Sequence, residues 1–174
     1  MTRAPFNVLF LSAGNSSRSI MAESLLNYWG KGRFRGYSAG SFPKGAVDPH
    51  VIKLLQSLDL PADGLRAKNW DEFAHSDAPV MDFVFILFDQ TEGEVCPVWP
   101  GHPMTGHWSM PDPALTAGSD VEQFHAFRDA LSALENRIKL FVALPLDTLD
   151  RISLKHQIDA IGRMRADAKP RQSA

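Results

Sequence analysis

Two spacings of apolar residues run through this chain, one of strands and one of helices. Phe6 to Leu11 is apolar everywhere except Asn7, the pattern of a strand covered on both faces. From Arg18 to Trp29, Ile20, Met21, Ser24, Leu25 and Tyr28 recur at helical spacing, and Gly30 supplies a stop. Arg33 to Ser38 reads as a second short strand, closed by Ala39-Gly40. Asp48-Pro49 predicts a helix start, with the carboxylate as N-cap and proline at the first helical position. Val51, Leu54, Leu55 and Leu58 then form an apolar face. A turn around Trp70 to Phe73 precedes Met81 to Phe88 (MDFVFILF), apolar at almost every position and therefore predicted to be a buried parallel strand. Residues 89–120 are rich in proline and glycine and predict a long loop, interrupted by a short strand near Thr105 to Met110. Val121, Phe124, Phe127, Leu131, Leu134, Ile138 and Phe141 mark a long amphipathic helix. Asp147 is placed to cap a last helix carrying Leu149, Ile152, Ile158 and Ile161.

The order β-α-β-α-β-β-α-α, with crossover helices between strands, predicts an α/β fold: a three-layer α/β/α sandwich around a central four-stranded parallel sheet. No repeat or linker divides it, so residues 1–165 are expected to form one domain, with 166–174 a flexible polar tail. Ligands of such sheets bind beyond the carboxyl ends of the strands. The segment that follows the first strand lies there.

Composition narrows the function by exclusion. With 174 residues, 22% of them charged and a net charge of −2, nothing argues for nucleic acid or an anionic membrane surface. The apolar run near the N-terminus is short for a signal peptide and no stretch approaches a membrane span, so a cytoplasmic location is the expectation. A single cysteine, Cys96, precludes an internal disulfide. The six histidines have no metal-ligand spacing; His102, His107 and Cys96 could imitate a ligand set, but surface-loop histidines are far commoner, so neither metal nor cofactor is expected. The last helix, with Ile152, Ile158 and Ile161, either packs inward or pairs with a second copy as a homodimer.

The candidate chemistry sits in Ser12-Ala13-Gly14-Asn15-Ser16-Ser17-Arg18, with Ser19 following. Gly14 and Asn15 tolerate left-handed backbone angles, which lets successive N–H groups curl into an anion-holding nest. The next helix adds its free N–H groups and positive dipole end. Arg18 can clamp two oxygens of a tetrahedral anion with its planar fork. Residues 13 to 18 together therefore suit phosphate, arsenate or sulfate. The competing reading is a plain strand-to-helix turn in which Arg18 pairs with a surface carboxylate. Neither G-x-x-x-x-G-K-S/T nor G-x-G-x-x-G follows the strand.

With "VLFL", "AGNSSRSIMAE", "YSAGSFPKG", "DFVFILFDQTEGEVCPVWPG" and "HWSMPDPA", the chain resembles the low-molecular-weight protein tyrosine phosphatase superfamily over nearly its whole length, and most closely its bacterial, thiol-dependent arsenate reductase branch. That family's loop is C-x5-R followed by Ser or Thr. The resemblance implies that Arg18 clamps the anion, that Ala13 to Ser17 cradle it, that Asn15 shapes the loop and that Ser19 hydrogen-bonds the nucleophile. It implies that Asp112, in Asp112-Pro113, is the general acid, and a carboxyl held rigidly before proline fits that role. Tyrosine phosphatases of the family tend to place aromatic residues after this pair. Here Ala114-Leu115 follows, with Trp108 and Trp99 as partial substitutes, which favours the reductase branch.

Ser12 stands where the resemblance places the nucleophilic cysteine. A thiol there would ionise near neutrality beside the helix terminus and the arginine, whereas a hydroxyl stays protonated without an adjacent base. Phe88 stands where the reductase branch usually has a further cysteine, and Cys96 is the one thiol kept for a relay. The expected chemistry is oxyanion binding with impaired turnover, a thiol reductant entering only where a cysteine occupies position 12. Two origins of Ser12 stay open, a deliberate ligand-trapping exchange in a phosphatase and a natural relative that has lost its chemistry. A non-catalytic interaction module on the same fold is the third reading.

Overall fold

The computed structural model describes residues 3–88 and 96–164; the tail 166–174 and the segment 89–95 lie outside the described residues. In chain order the elements are β1 (Phe6–Ser12), α1 (Arg18–Trp29), β2 (Phe34–Gly40), α2 (Pro49–Ser57), a 3-10 helix (Trp70–Phe73), β3 (Phe83–Ile86), β4 (Met104–His107), a second 3-10 helix (Pro113–Leu115), α3 (Asp120–Val142) and α4 (Arg151–Gly162). The four strands form one sheet in the order β2-β1-β3-β4. All three pairings are parallel, with Ser12 opposite Gly40, Leu11 opposite Ile86 and Ile86 opposite His107.

Side chains on neighbouring strand residues point to opposite faces, so an unbroken apolar run needs cover on both. Val8, Phe10, Phe83 and Phe85 join one core with residues from all four α-helices. Leu9, Leu11, Val84 and Ile86 join the other, closed by Phe73, Met81, Phe88 and Trp99. In the first core Phe85 stacks on Trp108 at 3.9 Å and meets Phe141 edge-on at 5.0 Å. Burying such a ring stabilises the fold by about 2–3 kcal/mol.

The helices lie close to where the apolar spacing puts them. Asp48 caps α2 by accepting the His50 N–H at 2.8 Å, and Pro49 opens it. The last helix differs from expectation. Asp150, not Asp147, is its cap, accepting the Ser153 N–H at 2.7 Å, while Asp147 pairs with Arg3. Ile158 and Ile161 are buried within the chain against β4, so that face packs inward, leaving Ile152 in solvent. Tyr28, Leu58 and Val121 share the helical spacing yet remain exposed. No helix among the described residues is long and apolar enough to cross a membrane.

The strand order decides where a ligand can sit. From β1 the chain moves to β2 on one side and then crosses to β3 on the other, which opens a crevice at the carboxyl ends of β1 and β3. The loop after β1, the Leu87-Phe88 exit of β3 and the segment after β4 all reach that end.

Candidate functional site

Ser12 ends β1 and Arg18 begins α1, so the five residues between them make the whole turn. Three of their carbonyls are held from outside by the β2–α2 connection. Phe42 N–H donates to Ala13 O at 2.9 Å, Lys44 N–H to Gly14 O at 3.0 Å and Asp48 N–H to Ser16 O at 3.0 Å. Among the described residues, no acceptor takes a backbone N–H of Ala13 to Ser17. Backbone donors inside proteins are nearly always paired, so a run of five without a protein acceptor is a concentration of positive potential. Ser17 occupies the N-cap of α1 without capping it, and its buried hydroxyl has no partner among the described residues.

The backbone departs from the expected nest in one detail. Asn15 is left-handed, at φ 45°, whereas Gly14 is absent from the positive-φ positions. What Gly14 provides is room, because a Cβ there would lie 3.1 Å from the Lys44 side chain. Asn15 is fully buried and its amide is used at both ends. Oδ1 accepts the Lys68 N–H at 2.9 Å, and Nδ2 donates to Ser19 Oγ at 2.7 Å. Ser19 Oγ lies 2.6 Å from Ser12 Oγ, and with the Asn15 proton already received it can donate its own to Ser12.

Arg18 is buried. Its Nη1 donates to Leu87 O at 3.2 Å and to Met110 O at 3.0 Å, tying the exits of β3 and β4 to the loop. Nη2 lies 3.7 Å from Asp112 Oδ2. The other Asp112 oxygen accepts the Ala114 N–H at 3.0 Å, so the carboxyl caps the short helix at Pro113 and turns its free side to Arg18. Ser12, Ser19, Asn15, Arg18 and Asp112 are thus gathered at one point from the ends of β1 and β4 and the start of α1.

Other residues singled out from the sequence pack in or beside the two cores. Trp108 cannot act as an aromatic wall: it is completely buried, stacked on Phe85, with its indole N–H on Ile158 O. Trp99 is buried too, packed edge-on to Trp70 in the second core. Phe88 sits in that core, and Cys96 is half-buried at its margin.

Two residues of importance escape the sequence reading. Gly40 looks like a strand end, yet a Cβ on it would lie 2.6 Å from Ala13 O and 2.9 Å from Asn15 N. Only the lack of a side chain lets β2 press against the loop. Its sign in the sequence is the Ser-Ala-Gly that closes β2. Arg137, a charged residue on α3 to which the apolar spacing assigns no role, is buried and donates to Trp108 O and Met164 O, each at 2.8 Å, bracing the segment that leads to Asp112. Behind the loop, burial pushes the Glu23 carboxyl above its usual value, with the Ser38 hydroxyl and the Lys68 ammonium pulling it back.

Comparison with known proteins agrees with this arrangement. The family described as low molecular weight phosphotyrosine protein phosphatase matches residues 7–152. An arsenate reductase of Oceanobacillus iheyensis is 32% identical over 139 residues, 77% of this chain and 93% of that protein. The arsenate reductase of Archaeoglobus fulgidus superposes with a TM-score of 0.63 at 28% identity, covering 79% of this chain and 99% of that one. A low molecular weight protein tyrosine phosphatase from T. tengcongensis shares the fold, with a TM-score of 0.63 at 21% identity over 80% of this chain and 99% of its own. With its loop between β1 and α1, its four parallel strands and these relatives, the chain belongs to the low molecular weight phosphotyrosine protein phosphatase family, in the arsenate reductase branch.

Proposed function

We propose that this protein binds a tetrahedral oxyanion, phosphate or arsenate with sulfate as an analogue, in the loop from Ala13 to Arg18. Turnover there is held to background because Ser12 stands where the family's nucleophilic cysteine stands. The observation that carries the reading is the run of N–H groups from Ala13 to Ser17, which no described acceptor takes, while the carbonyls of Ala13, Gly14 and Ser16 are tethered away by Phe42, Lys44 and Asp48. A tetrahedral anion accepts several such donors at once and neutralises the dipole end of α1. Arg18 adds the full charge. Its Nη1 stays on the Leu87 and Met110 carbonyls, and Nη2 lies beside Asp112.

The chemistry then turns on position 12. A thiol at this helix terminus ionises near neutral pH, and Ser19 can donate to the resulting thiolate. The Ser12 hydroxyl receives the same environment and keeps its proton, since the group it meets at 2.6 Å is the Ser19 hydroxyl rather than a base. Asp112 keeps the position of a proton donor to a leaving oxygen, with Arg18 beside it. Arsenate reduction further needs a thiol relay, and Cys96 is the chain's single cysteine. A thiol reductant therefore has a role only when position 12 carries a thiol. The reading extends to one domain over residues 1–165.

Titration calorimetry with phosphate, arsenate and sulfate tests the proposal. Binding that is abolished or weakened at least tenfold in Arg18→Ala is expected. The absence of binding in the unaltered protein, or unchanged binding in Arg18→Ala, refutes it.

A further inference from the structure

Beside the loop, between α1, β2 and residues 66–68, lies a largely buried pair of opposite charges that the chemistry above does not use. Glu23 lies one turn after Ser19 on α1, and its side chain is 15% exposed; that of Lys68 is 10% exposed. The Lys68 ammonium is 3.9 Å from Glu23 Oε1 and donates to Arg66 O at 2.7 Å, with Ser38 Oγ at 3.5 Å. The buried Ser38 hydroxyl, on β2, donates to the same Glu23 oxygen at 2.7 Å. The main chain of Lys68 is equally engaged. Its N–H goes to Asn15 Oδ1, and its carbonyl accepts the Gly40 N–H at 2.9 Å.

We infer that Glu23 and Lys68 are positioning residues for the oxyanion loop, acting through Asn15. The chain of contacts is continuous. Glu23 and Ser38 hold the Lys68 ammonium, and this fixes residues 66–68 against α1 and β2. The Lys68 N–H then orients the Asn15 amide, Asn15 Nδ2 orients Ser19, and Ser19 meets Ser12. Asn15 enters the left-handed region more readily than other non-glycine residues do, and an external hold on its amide keeps it there. An amide whose two ends are both claimed has one orientation, and the backbone of Asn15 is then held where its N–H faces the cradle.

The energetics favour a geometric role over a stabilising one. A buried ion pair loses much of its attraction to the cost of desolvating both groups, and an apolar pair of similar size often serves the fold as well. Burial pushes the Glu23 carboxyl up and the Lys68 ammonium down, each away from the charged form, as that cost requires. What an apolar pair could not do is draw the Lys68 segment toward α1 at a set distance.

The inference rests on the loop binding an oxyanion, and the test separates the two. Phosphate affinity is measured by calorimetry on the unaltered protein, Lys68→Met, Glu23→Gln, the double variant, Asn15→Ala, and Asn15→Ala with Lys68→Met. Lys68→Met and Glu23→Gln are each expected to weaken binding about tenfold, and the double variant no more than either alone, because both act on one segment. In the Asn15→Ala background, adding Lys68→Met is expected to change affinity less than twofold. Simple destabilisation would not produce that loss of effect. The double variant leaves no unpaired buried charge, so it decides the matter if Lys68→Met alone does not fold. Unchanged affinity in folded Lys68→Met or in the double variant overturns the inference, as do effects of Lys68→Met and Asn15→Ala that multiply. No phosphate binding by the unaltered protein overturns the functional reading, and this inference with it.

Discussion

Replacing Gly40 with alanine should damage the oxyanion site more than the fold. The new Cβ would lie 2.6 Å from Ala13 O, 2.9 Å from Asn15 N and 3.0 Å from Asn15 Cβ, and the first two are backbone atoms with no rotamer to yield. Restoring ordinary contact moves the Ala13–Asn15 turn by roughly 0.5–0.8 Å. Overpacking of this kind costs about 1–3 kcal/mol. Asn15 cannot absorb the shift, because its amide is bound at both ends and its backbone is left-handed. The Phe42 and Lys44 donors to the Ala13 and Gly14 carbonyls also resist it. A misplacement approaching 1 Å in a site of converging donors costs about a hundredfold in function. Phosphate affinity in Gly40→Ala should therefore fall at least tenfold, with urea unfolding showing a loss of about 1–3 kcal/mol. Gly32→Ala is the control. Nothing lies within 4 Å of its Cβ and its φ is +86°, so it should lose about 1 kcal/mol of stability and no affinity. Wild-type phosphate affinity in Gly40→Ala would refute the claim that β2 and the loop touch through this glycine.

Three further outcomes are expected. Ser12→Cys should acquire slow hydrolysis of an aryl phosphate, since Ser19, Arg18 and Asp112 remain in place; a variant that binds phosphate yet stays inert shows that more than the nucleophile is missing. Glu23 has a folded pKa raised by burial, so relative to the unfolded chain its contribution is full at low pH and is lost as pH rises through the raised value. Glu23→Gln removes that slope: measured by urea unfolding, its stability relative to the unaltered protein should improve from pH 4 to pH 7, and a constant difference would contradict the assignment. Cys96, half-buried at the margin of the second core, should react promptly with a thiol reagent under native conditions; protection until unfolding would make it a core residue.

Sequence periodicity alone determined the element order, the span of α1 and the capped start of α2. Those depend on local patterns: apolar residues three and four apart, an aspartate before a proline, and runs too apolar to face water. The turn from strand to helix was legible as well, because Asn15 and the arginine opening a helix are local features. Strand ends were not legible in the same way. Met81 to Phe88 reads as one strand, yet the ladder holds only Phe83–Ile86. Apolar residues mark burial, which continues past the ladder: Leu87 and Phe88 are buried, but their carbonyls turn to Arg18 and to Ser109 Oγ. The cap of α4 moved from Asp147 to Asp150 because either aspartate could serve locally, and only packing against β4 chose the phase.

Tertiary structure decided everything that depends on segments distant in the chain. Trp108 lies four residues before Asp112 and yet belongs to the core, since Phe85, Phe141 of α3 and Ile158 of α4 enclose it. Arg18 could face solvent by its local sequence, but the exits of β3 and β4 offer it Leu87 and Met110 carbonyls and the Asp112 carboxylate. Gly40 is one glycine among 12 until the parallel register sets it opposite Ser12, where a single methyl group would meet the loop backbone. Lys68 has no local pattern at all. Its neighbours Asn15, Glu23 and Ser38 come from three other places in the chain, and short-range forces along a sequence carry no information about contacts that exist only after the sheet has closed.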